Sequence, residues 1–149
     1  MVYYKVWVSN HRSVIQFLGF TKQFWNDAWH LTLNKKTYLC AMRLIVSKFW
    51  VPKGFSGITI FPFIFARKKS CKSNETFINH EKIHIRQQLE LLVVFFFIWY
   101  GLEFLIRLVQ YKDFRNAYQN ISFEREAYTH ERNLTYLTNR RFFSFIKYL

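Results

Sequence analysis

The second half of this chain contains almost none of the residues that interrupt helices. From Glu75 to residue 149 the sequence has no proline and one glycine, Gly101, so long helical segments are expected there. Just ahead, residues 57–65 are rich in β-branched and aromatic side chains and predict a strand, with Pro62 pointing to a sheet edge or a bulge. The chain is therefore predicted to be an α+β protein, predominantly α-helical, with one short β element before its helices.

The part of the chain before this strand is less clearly patterned. Residues 1–41 are aromatic, and we interpret them as an N-terminal extension, helical or interfacial, or as a mis-assigned start, because Met42 would serve equally well as an initiator. Residues 38–50 look helical or buried, and residues 52–54, Pro-Lys-Gly, predict a turn. No basic start followed by an apolar run opens the chain, so we expect no secretory signal peptide. The main domain is expected at residues 42–149.

Capping residues mark where the first long helix begins. Ser73 or Asn74, at the end of a basic loop over residues 67–74, can cap a helix that starts at Glu75. A carboxylate in the first turn also suits the helix dipole. The pattern allows this helix to continue into an apolar segment at about residues 89–109.

A second helical region follows a polar segment. A polar link is expected at residues 111–120, and Asn120 or Ser122 can cap the helix after it. This helix is expected to reach about Leu137. The apolar stripe that should face the core consists of Phe123, Ala127 and Leu134.

His80, Glu81 and His84 form the motif His-Glu-x-x-His, which indicates metal binding. On a helix, this spacing puts both imidazoles on one face, one turn apart. Two such imidazoles suit two corners of a zinc tetrahedron, and Glu81 is placed to take a proton from water at the metal. We therefore predict Zn²⁺ as cofactor, His80 and His84 as metal ligands, and Glu81 as general base.

A zinc site with two histidines needs a further protein ligand. The downstream candidates are Glu124, Glu126, His130 and Glu131. Glu124 and Glu126 lie about 200° apart around a helix, so they cannot both face one metal. Glu124 lies about 60° from Ala127 on the core-facing stripe and Glu126 about 100° from it. Glu124 is therefore the better inward-facing carboxylate, with Glu126 as the alternative.

The motif and its downstream helix resemble the gluzincin metallopeptidases. In that family the His-Glu-x-x-His helix is followed by a helix that supplies a Glu, and several membrane-associated members carry this Glu in a Glu-x-x-Ala-Asp pattern. Residues 124–128 here read Glu-Arg-Glu-Ala-Tyr, so Tyr128 stands where the Asp would be. The missing Asp implies weaker hydrogen-bond support for one histidine ligand.

The resemblance covers roughly residues 55–130. It implies a zincin-like core in which His80, His84 and Glu124 bind zinc and Glu81 acts as general base. It also implies that the strand at residues 57–65 lies antiparallel to a bound peptide, and that the activity is the hydrolysis of peptide or protein substrates.

The charge balance favours an anionic partner. The chain has 22 Lys and Arg against 9 Asp and Glu, a net charge of +13, and is 21% aromatic. Basic residues mixed with Trp and Tyr are typical of a membrane interface, and no nucleic-acid motif accompanies them. Residues 89–109 are marginal for a span, which needs about 20 apolar residues, and Glu103 and Arg107 there are placed to pair. Residues 140–149 also look suited to a membrane surface, so we expect association with an inner or cytoplasmic membrane.

Other features leave alternatives open. Cys40 and Cys71 lack the spacing of a thiolate zinc site or a disulfide framework. Gln87 and Gln88 recur on the same helix face as His80 and His84; they are expected at the surface, with a position lining the site as the alternative. Tyr128 is expected to pack rather than to stabilise an oxyanion. One alternative function is a zinc-binding structural or regulatory membrane protein without turnover. Another is a basic membrane- or nucleic-acid-binding module that binds no metal.

Overall fold

The computed structural model describes residues 42–149, so the predicted extension at residues 1–41 lies outside the described residues. The described residues form an α+β structure in which a small sheet precedes a series of helices. This agrees with the predicted fold class.

The sheet has three strands in the order β1-β3-β2. Strand β1 (Arg43–Val46) runs parallel to β3 (Phe63–Ala66), and β2 (Gly57–Ile60) pairs with β3 in the antiparallel sense. The prediction that residues 38–50 are helical or buried is wrong at β1. Its side chains alternate between exposed and half-buried, as expected of an edge strand with one face on the protein.

The single strand predicted at residues 57–65 is two strands joined by a turn at Phe61-Pro62. Pro62 has no N–H to donate to the ladder, and the chain reverses at this point instead of extending. The predicted position at a sheet edge is confirmed for β2. After β3, a short 3₁₀ helix (Lys69–Ser73) occupies most of the predicted basic loop.

Helix α1 (Glu75–Glu90) carries the His-Glu-x-x-His motif. Its N-terminus is capped as predicted, because the Asn74 side chain accepts a hydrogen bond from the backbone N–H of Phe77 at 3.0 Å. The helix does not continue into the apolar segment. Leu92 adopts a left-handed conformation with φ of 54°, which ends α1 and lets the chain turn back.

Helices α2 (Val94–Tyr111) and α3 (Phe114–Gln119) follow. The predicted apolar segment is thus a separate helix that starts about five residues later than expected. The polar link predicted at residues 111–120 contains α3, which the sequence reading missed. Asp113 caps it by accepting a hydrogen bond from the backbone N–H of Asn116 at 2.8 Å.

Helix α4 (Ser122–His130) ends well before the predicted Leu137, and a short helix α5 (Tyr136–Asn139) follows. Phe123 and Ala127 are buried as predicted, but Leu134 lies beyond the end of α4 and is 54% exposed. The N-cap of α4 is Ile121, whose side chain cannot accept a hydrogen bond. Neither residue predicted as the cap has that role.

Glu103 of α2 caps α4 from a distance. Its carboxylate accepts hydrogen bonds from the backbone N–H of Ser122 at 2.8 Å and from the Ser122 hydroxyl at 2.6 Å. It also forms the predicted ion pair with Arg107, at 3.3 Å. A carboxylate at a helix N-terminus satisfies free N–H groups and favours the helix dipole.

Aromatic side chains from three parts of the chain form the core beneath these helices. Phe123 contacts both Phe96 and Phe145, with ring centroids 4.7 Å and 4.4 Å apart, and Ile121 belongs to the same buried cluster. Phe145 belongs to a final 3₁₀ helix (Ser144–Tyr148). This side chain completes the core and does not face outward, whereas the membrane-surface role expected of residues 140–149 stays a prediction.

Candidate metal centre

Three buried side chains from two helices meet at one point. Helix α1 places His80 and His84 one turn apart, and α4 brings Glu124 opposite them. The two Nε2 atoms are 3.1 Å apart. Glu124 Oε2 lies 3.4 Å from His80 Nε2, and Glu124 Oε1 lies 3.3 Å from His84 Nε2.

These separations are compatible with a shared metal ion. Ligand atoms bound at 2.0–2.1 Å at the corners of a tetrahedron lie about 3.3 Å apart, and the two Nε2 atoms, at 3.1 Å, are close to that value. Each Nε2 faces a different oxygen of Glu124, and one ligand atom from each of the three residues lies within 4.8 Å of the others. Glu124 Oε2 is buried and has no hydrogen-bond partner among the described residues. A buried oxygen left in that state is costly unless a cation satisfies it. The donor set of two imidazoles and a carboxylate is also one that zinc commonly takes.

The outer nitrogens of both imidazoles are held by neighbouring oxygens. His80 Nδ1 lies 3.0 Å from Glu131 Oε2, and His84 Nδ1 lies 2.8 Å from Gln87 Oε1. Because each Nδ1 faces an acceptor, the neutral imidazole carries its proton on Nδ1 and leaves the Nε2 lone pair directed into the cluster. Glu131 and Gln87 thereby fix the tautomer that metal binding requires.

Glu131 supplies the hydrogen-bond support for a histidine that the missing Asp was expected to weaken. Tyr128 packs its ring edge-on against His80, with centroids 4.8 Å apart, and is 43% exposed. Its position agrees with the predicted packing role. Support for His80 comes from Glu131, one turn further along the chain, so the implied weakness of that ligand is wrong.

Gln87 connects the cluster to a buried ion pair. Its amide nitrogen donates hydrogen bonds to Glu126 Oε2 at 3.0 Å and to the backbone carbonyl of Phe123 at 3.1 Å. Glu126 in turn pairs with Arg140 at 2.5 Å. Burial works against ionisation of Glu126, but Arg140 outweighs it and holds the pKa of that carboxyl below its usual range. Glu126 is therefore buried away from the cluster, as a partner of Arg140 rather than beside the two histidines.

The carboxylate of Glu81 lies between α1 and β2. It accepts a hydrogen bond from the hydroxyl of Thr59 on β2. Gly57, also on β2, comes so close that a Cβ added there would lie 2.9 Å from Glu81 Oε1 and 2.5 Å from the Phe77 ring. The absence of a side chain at position 57 thus makes room for this carboxylate.

Gln88 fixes β2 against α1. Its amide nitrogen donates to the backbone carbonyl of Thr59 at 2.8 Å, and its oxygen accepts from the backbone N–H of Phe61 at 2.8 Å. Gln87 and Gln88 are 0% and 1% exposed. The prediction that they are surface residues is wrong, because both amides satisfy buried polar groups.

The electrostatics of the cluster favour an ionised third ligand. Burial raises the pKa of Glu81, although His84 and His80 partly offset the rise. Burial also opposes charge on His84, but the Glu124 carboxylate outweighs it and raises the pKa of His84 to about 9. Despite its burial, the pKa of Glu124 is held well below its usual range by the two imidazoles. Glu124 therefore remains a carboxylate, as a metal ligand must.

Two cavities meet at this cluster. One, of about 310 Å³, is walled mainly by aromatic side chains, namely Phe55, Phe96, Phe97, Tyr100, Phe104 and Phe114. The other, of about 600 Å³, has a more polar lining that includes Lys53, Asn74, Arg115, Gln119 and Glu131. His80, Glu81 and Tyr118 line both. The cluster is therefore accessible from an apolar side and from a polar side.

The sequence indicated the predicted site residues and gave Gln87 as an alternative lining residue, but it did not indicate Thr59 or Tyr100. Thr59, Gln87 and Tyr100 each touch a motif residue or Glu124, and the Tyr100 hydroxyl donates to Glu124 Oε1 at 2.8 Å. A signal existed for the glutamines, because they recur at helical spacing on the same face as the two histidines. No short-range pattern indicates the other two residues, which come from β2 and α2.

Comparisons with known proteins gave no relative. No protein-family model matches the chain, and neither the curated proteins nor the solved structures yielded a match. The resemblance to gluzincins consequently stays a prediction that rests on the motif and the geometry of the site.

Proposed function

We propose that this protein is a zinc-dependent peptidase with a zincin-like core of gluzincin type. The observation that carries the proposal is the convergence of the buried His80, His84 and Glu124, whose candidate ligand atoms lie within 4.8 Å of one another, with Glu124 Oε2 left buried and unsatisfied within the described residues. Glu81, the candidate base, borders the same two cavities.

Zinc held by His80, His84 and Glu124 would supply a Lewis acid that acidifies a water and polarises the scissile carbonyl. Glu81 then accepts the water proton on a carboxylate oxygen and passes it to the nitrogen of the leaving amine. The Thr59 hydroxyl and the close approach of Gly57 hold that carboxylate in place through both transfers.

The edge of β2 is suited to bind a peptide backbone. The backbone N–H of Arg67 donates to the Ser56 carbonyl at 2.9 Å, and hydrogen-bonded pairs alternate along an antiparallel ladder. The backbone groups of Gly57 and Thr59 therefore point away from β3, and Gln88 takes the Thr59 carbonyl. A peptide aligned antiparallel to β2 would bond to Gly57 and pass the candidate metal centre. The aromatic cavity of about 310 Å³ would accept one of its large apolar side chains.

Tyr118 on α3 is the proposed donor to the substrate carbonyl. Burial, together with the Glu124 carboxylate, raises the pKa of its hydroxyl well above the ordinary value, so the hydroxyl keeps its proton. It lines both cavities, and a fixed donor near the developing oxyanion stabilises the transition state.

Metal analysis combined with peptide cleavage tests the proposal. Purified protein should contain one zinc per chain and cleave peptides, and chelation should abolish cleavage. Glu81→Gln should retain zinc but lose cleavage by at least about a hundredfold, because it removes the base without removing a ligand. Bound zinc without any cleavage would instead favour the structural or regulatory alternative, and absence of zinc would contradict the proposal.

A further inference from the structure

Helix α2 presents an uncovered apolar face. Of the described residues, it is the one helix long and apolar enough to be considered as a membrane span, and most of it is exposed. Nine of its large apolar side chains are between 40% and 77% exposed. They are Val94, Phe95, Phe97, Ile98, Trp99, Leu102, Leu105, Ile106 and Val109.

The exposed surface extends onto the C-terminal segment. Trp99 contacts Phe145 with ring centroids 5.7 Å apart, and the neighbours of Phe145 in sequence are exposed apolar residues. They are Phe142, Phe143, Ile146 and Leu149. We call these four residues and the nine on α2 the outer apolar face. Since a large aromatic side chain presents roughly 150–250 Å², the α2 part alone exposes on the order of 800 Å². The largest apolar patch of a typical soluble monomer is about 300–600 Å².

Exposed basic side chains are adjacent in sequence to both parts of this face. Lys112 and Arg115 follow the end of α2, and Arg141 and Lys147 lie within the C-terminal segment, all four exposed. Acidic side chains are largely withdrawn from the surface. Among residues 42–149, the exposed ones are Glu75 and Asp113.

We propose that α2 lies along an anionic lipid surface, with the outer apolar face in the acyl boundary and the adjacent basic residues at the headgroups. This arrangement covers apolar surface and pairs a chain of net charge +13 with lipid phosphates. A second copy of the chain is disfavoured as the cover, because it would bring another +13 against the same basic residues.

The opposite side of α2 argues for a helix lying on the membrane rather than crossing it. Phe96 and Glu103 are buried against the protein, Tyr100 donates to Glu124, and Glu103 holds Ser122. One side of the helix is thus attached to the domain along much of its length. At 18 residues, α2 is also only about 27 Å long, slightly short of the roughly 30 Å of a hydrocarbon core.

This orientation would place the candidate metal centre close to the bilayer. Helix α2 also walls the aromatic cavity beside the cluster, and a helix with its side chains is about 10–12 Å across. This step alone rests on the proposed peptidase function. If that function holds, the substrates of the protein are chains presented at the membrane surface.

Vesicle co-sedimentation of the purified full chain tests the proposal, with phosphatidylcholine vesicles compared with vesicles that also contain phosphatidylglycerol. Wild type should sediment with the anionic vesicles and bind less as salt is added. Leu102→Glu/Leu105→Glu should weaken vesicle binding at least about tenfold, because it sets two carboxylates against an anionic surface. The matched control Phe49→Glu/Leu134→Glu adds the same charge at exposed apolar positions outside the face and should bind within about twofold to threefold of wild type.

Binding should not depend on the metal. His80→Ala should sediment like wild type, so a failure of the peptidase proposal leaves this result unaffected. The proposal is overturned if wild type stays in the supernatant, or if the two double variants bind equally well while circular dichroism shows both folded. It is also overturned if light scattering shows a dimer that only the α2 variant disrupts, since the cover would then be a second copy.

Discussion

Replacing Glu131 by alanine should weaken zinc binding while leaving the protein folded. Glu131 Oε2 lies 3.0 Å from His80 Nδ1, and this contact fixes the tautomer that directs Nε2 toward the cluster. Loss of such a partner typically costs 10–100-fold in metal affinity, or about 1.4–2.7 kcal/mol. The Glu131 side chain is 24% exposed, and its backbone carbonyl, which accepts from Asn79, is unchanged. The metal-free protein should therefore lose less than about 1 kcal/mol in its free energy of unfolding.

Competition with a chromophoric chelator measures the zinc dissociation constant, and urea denaturation of the metal-free protein measures stability. Glu131→Gln keeps a hydrogen-bond acceptor but loses the charge, so its zinc affinity should fall between those of wild type and Glu131→Ala. Glu75→Ala removes an exposed carboxylate from the first turn of α1, the helix that carries His80, and serves as the control. The reasoning is refuted if Glu131→Ala binds zinc within twofold of wild type.

Three further changes probe the scaffold around the site. Gly57→Ala should lower peptide turnover by roughly two orders of magnitude and leave zinc affinity unchanged, because the new Cβ would displace the candidate base 2.9 Å away. Gly101→Ala, whose Cβ would meet no described atom within 4 Å, is its control in steady-state kinetics. Arg140→Met should destabilise the protein by about 3–5 kcal/mol in urea, since Glu126 would stay buried without its cation, and adding Glu126→Gln should restore part of this loss. Glu103→Leu should cost about 1–3 kcal/mol in thermal unfolding by leaving the start of α4 uncapped, whereas Glu103→Gln should cost less.

Local signals in the sequence were enough to predict the parts of the fold that depend on local interactions. The cap at Asn74, the motif helix and the turn at residues 52–54 depend on neighbouring residues and are confirmed. At the start of α4, where an interaction between distant residues decides the structure, the predicted caps are wrong. The start of α4 is satisfied by Glu103, nineteen residues earlier on another helix, and no pattern around Ser122 reveals it.

The predictions for the site also divide into those that local periodicity supports and those that depend on distant contacts. Helical periodicity placed His80 and His84 on one face and favoured Glu124 over Glu126 as the inward carboxylate, and the structure brings these three side chains together. Periodicity also placed Glu126 further than Glu124 from the core-facing stripe. Glu126 is nonetheless buried as well, because Arg140 reaches it from the C-terminal segment. A contact between residues so far apart in sequence depends on the packing of the whole domain.

The zinc content of two matched variants tests the central claim most directly. Glu124→Gln and Glu126→Gln make the same chemical change two residues apart on one helix, and both positions are buried. We predict that purified wild type and Glu126→Gln each hold one zinc per chain, while Glu124→Gln holds little or none, because only Glu124 reaches both imidazoles. Equal zinc content in the two variants, or wild-type protein without zinc, would contradict the assignment of His80, His84 and Glu124 as a metal centre.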